Sequence, residues 1–166
     1  LAGAFGRYAG GGEDEEGAHP DESGLGRDLL EGAVWGAALE AFRRDPTNLD
    51  MAALLSQSLV RLGMSEAAPL VLAQALGDKP NLQALAGAMG IVLEAMSADA
   101  EADDLAAARR TYAAAAPILA LADRATQKGG PLASRARFLM ASVELRAGNL
   151  PAALPLLRAA AAAEPS

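Results

Sequence analysis

Two segments of the chain repeat one spacing of small residues and proline. In each, a glycine is followed by an alanine, a second alanine and a proline, at steps of five, seven and five residues. These residues are Gly63, Ala68, Ala75 and Pro80 in the first segment and Gly148, Ala153, Ala160 and Pro165 in the second. Glycine supplies the left-handed residue that ends a helix, and proline stops the helix that follows. Each segment therefore predicts two helices joined by a tight turn.

Apolar residues recur at helical spacing through the rest of the chain. They predict a leading helix over 25–44, stopped by Asp45-Pro46, and a helix of about 82–96 before the second repeat. Isoleucine occurs only twice, at Ile91 and Ile118, and such scarcity of β-branched residues disfavours a sheet. Alanine-rich faces let helix axes approach closely. We predict an all-α domain of about seven helices.

Residues 1–24 differ in composition from everything after them. Glycine and acidic side chains dominate this stretch, which therefore buries too little apolar surface to offset its chain entropy. We predict a disordered acidic tail over 1–24 and a folded domain over 25–166. The chain begins with Leu1 rather than Met, so we expect it to be either a fragment of a larger protein or a processed product.

A period of 34 residues relates Val34 to Ala68 and Ala41 to Ala75. This period, the helix–turn–helix unit, the small residues and the closing proline resemble the tetratricopeptide repeat family. The resemblance implies a short right-handed α-solenoid of antiparallel helix pairs. It would consist of a partial repeat (25–48), a repeat (49–82), an enlarged repeat (83–133) and a last repeat (134–166).

The enlarged repeat carries its extra residues in two places. An acidic stretch over 97–104 is expected to replace the short glycine turn, with Asp103 or Asp104 starting the next helix. A long helix over about 105–128 follows, and Pro117 is expected to kink it because proline removes a backbone hydrogen bond.

The resemblance also implies a binding surface. In this family the first helices of successive repeats line a concave groove that receives a peptide or a partner helix. The positions that would face this groove are Asp50, Gln57, Arg61, Ile91, Glu94, Arg135, Phe138, Ser142 and Arg146. The leading hypothesis is a non-catalytic adaptor that binds another protein. The alternative is a structural segment that associates with itself, giving a homo-oligomer, or with flanking repeats.

The sequence offers little for catalysis. His19 is the only histidine and lies in the predicted tail, and the chain has no cysteine. No phosphate-binding glycine loop or dinucleotide fingerprint occurs. We therefore expect no enzyme activity, no catalytic residues, no cofactor and no metal site.

Net charge and the length of the apolar runs disfavour two classes of partner. A net charge of −7 disfavours nucleic acid, which needs a basic surface. The longest apolar run, over 113–122, is too short to span a bilayer and contains Pro117, so no membrane insertion is expected. The Ala-, Arg- and Gly-rich composition is typical of a bacterium with GC-rich DNA, and both cytoplasm and periplasm remain open.

Overall fold

The computed structural model describes residues 20–126 and 130–163. Most of the predicted tail, residues 1–19, lies outside this part. The described residues form eight α-helices and one 3₁₀ turn, and they contain no strand, which confirms the all-α prediction. The helices are α1 (Pro20–Arg44), α2 (Leu49–Arg61), α3 (Ala68–Leu76), α4 (Leu82–Glu101), α5 (Leu105–Ala114), α6 (Ala116–Ala125), α7 (Gly130–Arg146) and α8 (Leu150–Ala162), with the 3₁₀ turn Ser65–Ala67 before α3.

The chain divides into two compact units, Leu1–Ala37 and Ala38–Ser166. In the first unit, α1 begins at Pro20, earlier than the predicted residue 25. The second unit holds the last turns of α1 and all of α2–α8. Every contact and cavity described below lies within this second unit.

Helices that follow one another in the chain pack as pairs. α2 packs against α3, α4 against α5 and α6, and α7 against α8. The pairs also touch in chain order, because α2 contacts α4 and α4 contacts α7. The repeated alanines lie at these contacts: Ala68 and Ala153 are fully buried and Ala75 and Ala160 nearly so, as close helix crossings require.

All three helix pairs turn with the same hydrogen-bonded motif. After α2, Gly63 N–H donates to the Val60 carbonyl at 3.1 Å and Met64 N–H to the Leu59 carbonyl at 2.8 Å. The two turns that follow α4 and α7 repeat this pattern, in which one amide reaches back three residues and the next reaches back five. This is the Schellman arrangement, which satisfies carbonyls that the helix end leaves without an amide donor.

One of the three turns has a residue other than glycine at its left-handed position. Gly63 and Gly148 have φ values of 76° and 74°, whereas the equivalent residue after α4 is Asp103, with a φ of 59°. Aspartate is one of the few non-glycine residues that adopt the left-handed region. The prediction that the acidic stretch replaces the short turn is therefore wrong. α4 continues to Glu101, so its extra residues are helical, and Asp103 makes the same turn as the glycines.

Pro117 explains why the described residues form eight helices rather than seven. The predicted helix over 105–128 is interrupted at Ala115, whose N–H is shared between the carbonyls of Thr111 and Tyr112. Pro117 occupies the first turn of α6, where its missing N–H costs little. The expected kink is thus a break between two helices.

The helix caps agree only in part with the sequence. Asp104 Oδ1 accepts the N–H of Ala107 at 2.9 Å, so it caps α5 as expected. Ser65 precedes α3 but does not cap it, because it begins the 3₁₀ turn and is buried. Asn149 stands at the cap position of α8, but its side chain makes no capping bond there; its amide NH₂ donates to Glu144 at 2.9 Å.

The core runs through the second unit between α3 and α7. Its largest fully buried side chains include Leu72, Met89, Met96, Ile118 and Val143. None of the helices in the described ranges combines the length and the apolar character that crossing a bilayer demands.

Candidate functional site

One face of α7 opens onto a cavity of about 690 Å³. The α7 residues that line it recur at helical spacing and range from buried to exposed. They are Ser134, Arg135, Phe138, Leu139 and Ser142. A volume of this size is within the range of ligand and peptide-anchor pockets.

The other walls come from the neighbouring helices. α4 contributes Leu93 and Ser97, and α8 contributes Leu157, Ala160 and Ala161. The cavity therefore has α7 at its centre and α4 and α8 on either side. Its lining is mainly apolar, with a few hydroxyl groups and one charged side chain.

Two serine hydroxyls of α7 form hydrogen bonds with carbonyl groups. Ser134 is buried, and its Oγ donates to the Ala160 carbonyl at 2.8 Å, which fastens α8 to α7. Ser142 Oγ donates to the Phe138 carbonyl of its own helix at 3.1 Å. Ser134 thus fixes one wall of the cavity, whereas Ser142 makes no bond to another helix.

Phe138 and Arg135 are the two exposed features of this face. Phe138 is 60% exposed, a large apolar surface for a side chain beside a cavity. Arg135 is also exposed, and within the described ranges it has neither an ion-pair nor a hydrogen-bond partner. An apolar anchor site next to an unpaired guanidinium suits a ligand that combines an apolar group with a carboxylate.

A second cavity, of about 330 Å³, adjoins the first and shares Ser97 and Leu139 with it. Its other lining residues are Ala100, Glu101 and Arg146. Together the two cavities follow the seam between α4 and α7. We call this pair of cavities the α4–α7 groove.

The structure brings together three of the nine predicted groove residues, Arg135, Phe138 and Ser142, in the larger cavity. Arg146 lines the smaller one, and its guanidinium donates to the Ala100 carbonyl and to the Asp103 carboxylate. It therefore stabilises the turn after α4 instead of remaining free for the carboxylate of a ligand.

Ile91 is the clearest correction. It is 8% exposed and belongs to the hydrophobic core, since α4 turns this position toward its neighbours and presents Leu93 and Ser97 to the cavity. The remaining four predicted residues are exposed but line neither cavity: Asp50, Gln57, Arg61 and Glu94.

Sequence reasoning missed the α8 wall of the site. The predicted groove used only first helices of the repeats, so Leu157, Ala160 and Ala161 were not considered. Ala160 is one of the alanines of the repeated spacing, and its neighbour Ala161 lies on the adjacent, exposed side of the same helix. The pairing of helices indicated that α8 packs on α7. Whether a cavity remains between them depends on their crossing angle, which only the packed structure gives.

Sequence reasoning also missed an ion pair behind the site. Arg109 of α5 donates two hydrogen bonds to the buried carboxylate of Glu144 on α7, at 2.8 and 2.9 Å. The hydrogen bond from Arg109 lowers the pKa of Glu144, an effect that outweighs the opposing effect of burial, and the bond from Asn149 lowers it further. This pair connects α7 to α5, a helix that lines neither cavity.

The described residues contain no group of three or more His, Asp or Glu side chains arranged to hold a metal ion.

Comparisons with known proteins add no relative: no family model matches the chain, and neither a curated protein nor a solved structure is similar to it.

Proposed function

We propose that the protein is a non-catalytic interaction module that binds a segment of another protein in the α4–α7 groove. The observation that carries this proposal is the juxtaposition of exposed Phe138 and unpaired Arg135 at the larger cavity. An apolar side chain of the partner would fill the cavity, and a carboxylate would meet Arg135.

The repeated turns support a tetratricopeptide-like architecture for this module. Gly63, Asp103 and Gly148 occupy equivalent places in three helix pairs, and each lies five residues before a buried alanine. Pairs that cannot bury their apolar faces alone stack on their neighbours, and the first helices then form one surface. In this proposal, α2, α4 and α7 are those first helices of a short solenoid.

A displayed library of random peptides tests the function without a known partner. The wild-type protein should select peptides whose binding is lost when Arg135→Glu and Phe138→Ala are combined. Arg61→Glu combined with Leu62→Ala is a matched control, because it changes an exposed arginine and an exposed apolar residue outside both cavities. If the selected peptides bind the Arg135→Glu/Phe138→Ala variant as tightly as they bind wild type, the groove is not the binding site.

The second candidate is self-association through α8. This helix packs on α7 and leaves Leu150 and Leu154 54% and 42% exposed, a surface on which a further helix pair or a second copy would stack. Light scattering over a range of concentrations tests it. A mass that rises with concentration, and returns to the monomer value in Leu150→Lys/Leu154→Lys, supports this candidate. A constant monomer mass rejects it.

A further inference from the structure

We infer that the segment bound in the α4–α7 groove is an amphipathic α-helix whose first turn places a carboxylate at Arg135. The inference rests on the proposed function and specifies the shape, charge and direction of its ligand.

The walls of the groove favour a helical ligand. They are helices, so their backbone N–H and C=O groups are largely bonded within the helices themselves. The hydroxyl protons of Ser134 and Ser142 are also committed, to the carbonyls of Ala160 and Phe138. An extended segment would find few partners for its own backbone groups, whereas a helix satisfies them internally.

The dimensions of the groove suit a short helix. The larger cavity and the adjoining one are continuous through Ser97 and Leu139. Arg135 and Arg146, which mark its two ends on α7, are about three helical turns apart, or about 16 Å along the axis. A ligand helix of about three to four turns would span it and place apolar side chains against Phe138 and Leu93.

The charges of the groove give the ligand a direction. Arg135 is at one end and has no ion-pair partner among the described residues. At the other end Arg146 is already bonded to Asp103, and the carboxylate of Glu101 lines the cavity without an ion-pair partner among the described residues. The groove therefore runs from a positive end to a negative end.

A helix has the opposite charge requirements at its two ends. Carboxylates are favourable in its first turn and cations in its last turn, because of the macrodipole. A ligand helix with acidic residues at its N-terminus and basic residues at its C-terminus matches the groove only when it runs parallel to α7. We expect this orientation.

Three synthetic peptides of about 16 residues test the inference. The first has leucines along one helical face, glutamates in its first turn and lysines in its last. The second has the same composition with the two charged turns exchanged. The third is the first peptide with a proline at its centre. Fluorescence anisotropy gives the dissociation constant of each for the wild-type protein, Arg135→Glu and Phe138→Ala.

The first peptide should bind at least about tenfold more tightly than the proline peptide, because proline breaks the helix. It should bind about three to ten times more tightly than the charge-exchanged peptide. Arg135→Glu should abolish or reverse this second preference, and Phe138→Ala should weaken both helical peptides.

Three outcomes would overturn the inference. If the proline peptide binds as well as the first, the groove accepts an extended segment, and the docking function stands while the helical ligand does not. If the charge preference is the same in Arg135→Glu as in wild type, the direction is wrong. If none of the three peptides binds, while peptides from the library bind and lose their binding in Phe138→Ala, the ligand is not an amphipathic helix. Loss of library binding as well would reject the proposed function itself.

Discussion

Arg109 and Glu144, 35 residues apart in the sequence, are joined by two hydrogen bonds that connect α5 to the helix at the centre of the groove. Glu144 is buried, whereas the Arg109 side chain is 41% exposed. The pair is therefore asymmetric: removal of the arginine leaves a buried carboxylate, but removal of the carboxylate leaves an arginine that water can reach.

This asymmetry predicts the order of two substitutions. Arg109→Met should lower the free energy of unfolding more than Glu144→Gln, because the introduced amide keeps an oxygen that accepts from Asn149 and leaves no buried charge. Urea unfolding at pH 7 gives both values. Equal losses, or a larger loss for Glu144→Gln, would contradict this role of the pair.

The same pair predicts a dependence on pH. The pKa of Glu144 is lower in the folded protein than its usual value of 4.5, so the ionised carboxylate stabilises the fold. This contribution is fully present above the unfolded pKa and is lost as the pH falls through the folded pKa. The difference in unfolding free energy between wild type and Glu144→Gln should therefore shrink as the pH falls below 4.5. If this difference in unfolding free energy grows as the pH falls, the ionised carboxylate of Glu144 does not stabilise the fold.

Asp103 predicts a different response at the turn after α4. Its φ of 59° favours glycine, but its carboxylate also binds Arg146. Asp103→Gly removes the strain and an exposed ion pair of small value, so the unfolding free energy should stay within about 1 kcal/mol of wild type. Asp103→Ala loses the same ion pair and keeps the strain, so it should be about 1 kcal/mol less stable than Asp103→Gly. Thermal unfolding of the two variants makes the comparison, and an alanine variant as stable as the glycine variant would argue against a left-handed turn.

Ala68 tests the close approach of α2 and α3. It is fully buried, and its carbonyl accepts from Ser56 at 3.3 Å. Ala68→Leu should lower the unfolding free energy by about 1–3 kcal/mol, because the core has no space for the larger side chain. Ala98→Leu, at an exposed position of α4, is the matched control and should change it by less than about 0.5 kcal/mol. If the two substitutions change the unfolding free energy by similar amounts, Ala68 does not mark a close helix crossing.

Ser134 tests how α8 is attached beside the cavity. Ser134→Ala removes its hydrogen bond to Ala160 and should cost about 0.5–1.5 kcal/mol. Ser142→Ala removes a bond within α7 only and should be nearly neutral. Amide hydrogen exchange should also become faster in α8 for the first variant and not for the second. Unchanged exchange in α8 would mean that other contacts fix this wall.

The local structure was largely predictable from turn-formers. Gly63 and Gly148 end helices by adopting a left-handed conformation that few other residues adopt, and Pro46 does so by disfavouring the helical conformation in the residue before it, so their positions identify the boundaries. Asp103 was missed because aspartate favours both a left-handed turn and a helix cap, and sequence alone did not separate the two roles. Pro117 indicated a disturbance, but whether a helix bends or breaks depends on the packing around it.

The candidate site was predictable only where a helix face remained exposed. Arg135, Phe138 and Ser142 follow the helical period, and α7 leaves that face uncovered. The prediction for Ile91 was wrong because an apolar residue in the middle of α4 fits the core and the groove equally well by periodicity. Arg146 lines the smaller cavity, but its bond to Asp103 was not predictable, because the two residues are 43 positions apart and meet only in the packed structure.

The most direct test of the docking groove is to map backbone amide chemical shifts while a library-selected peptide is titrated into the protein. We expect the perturbed amides to cluster at Leu93 and Ser97 of α4, around Arg135–Ser142 of α7 and around Leu157–Ala161 of α8. Perturbations centred on the face of α2 that carries Arg61, with the α7 amides unchanged, would contradict the groove assignment.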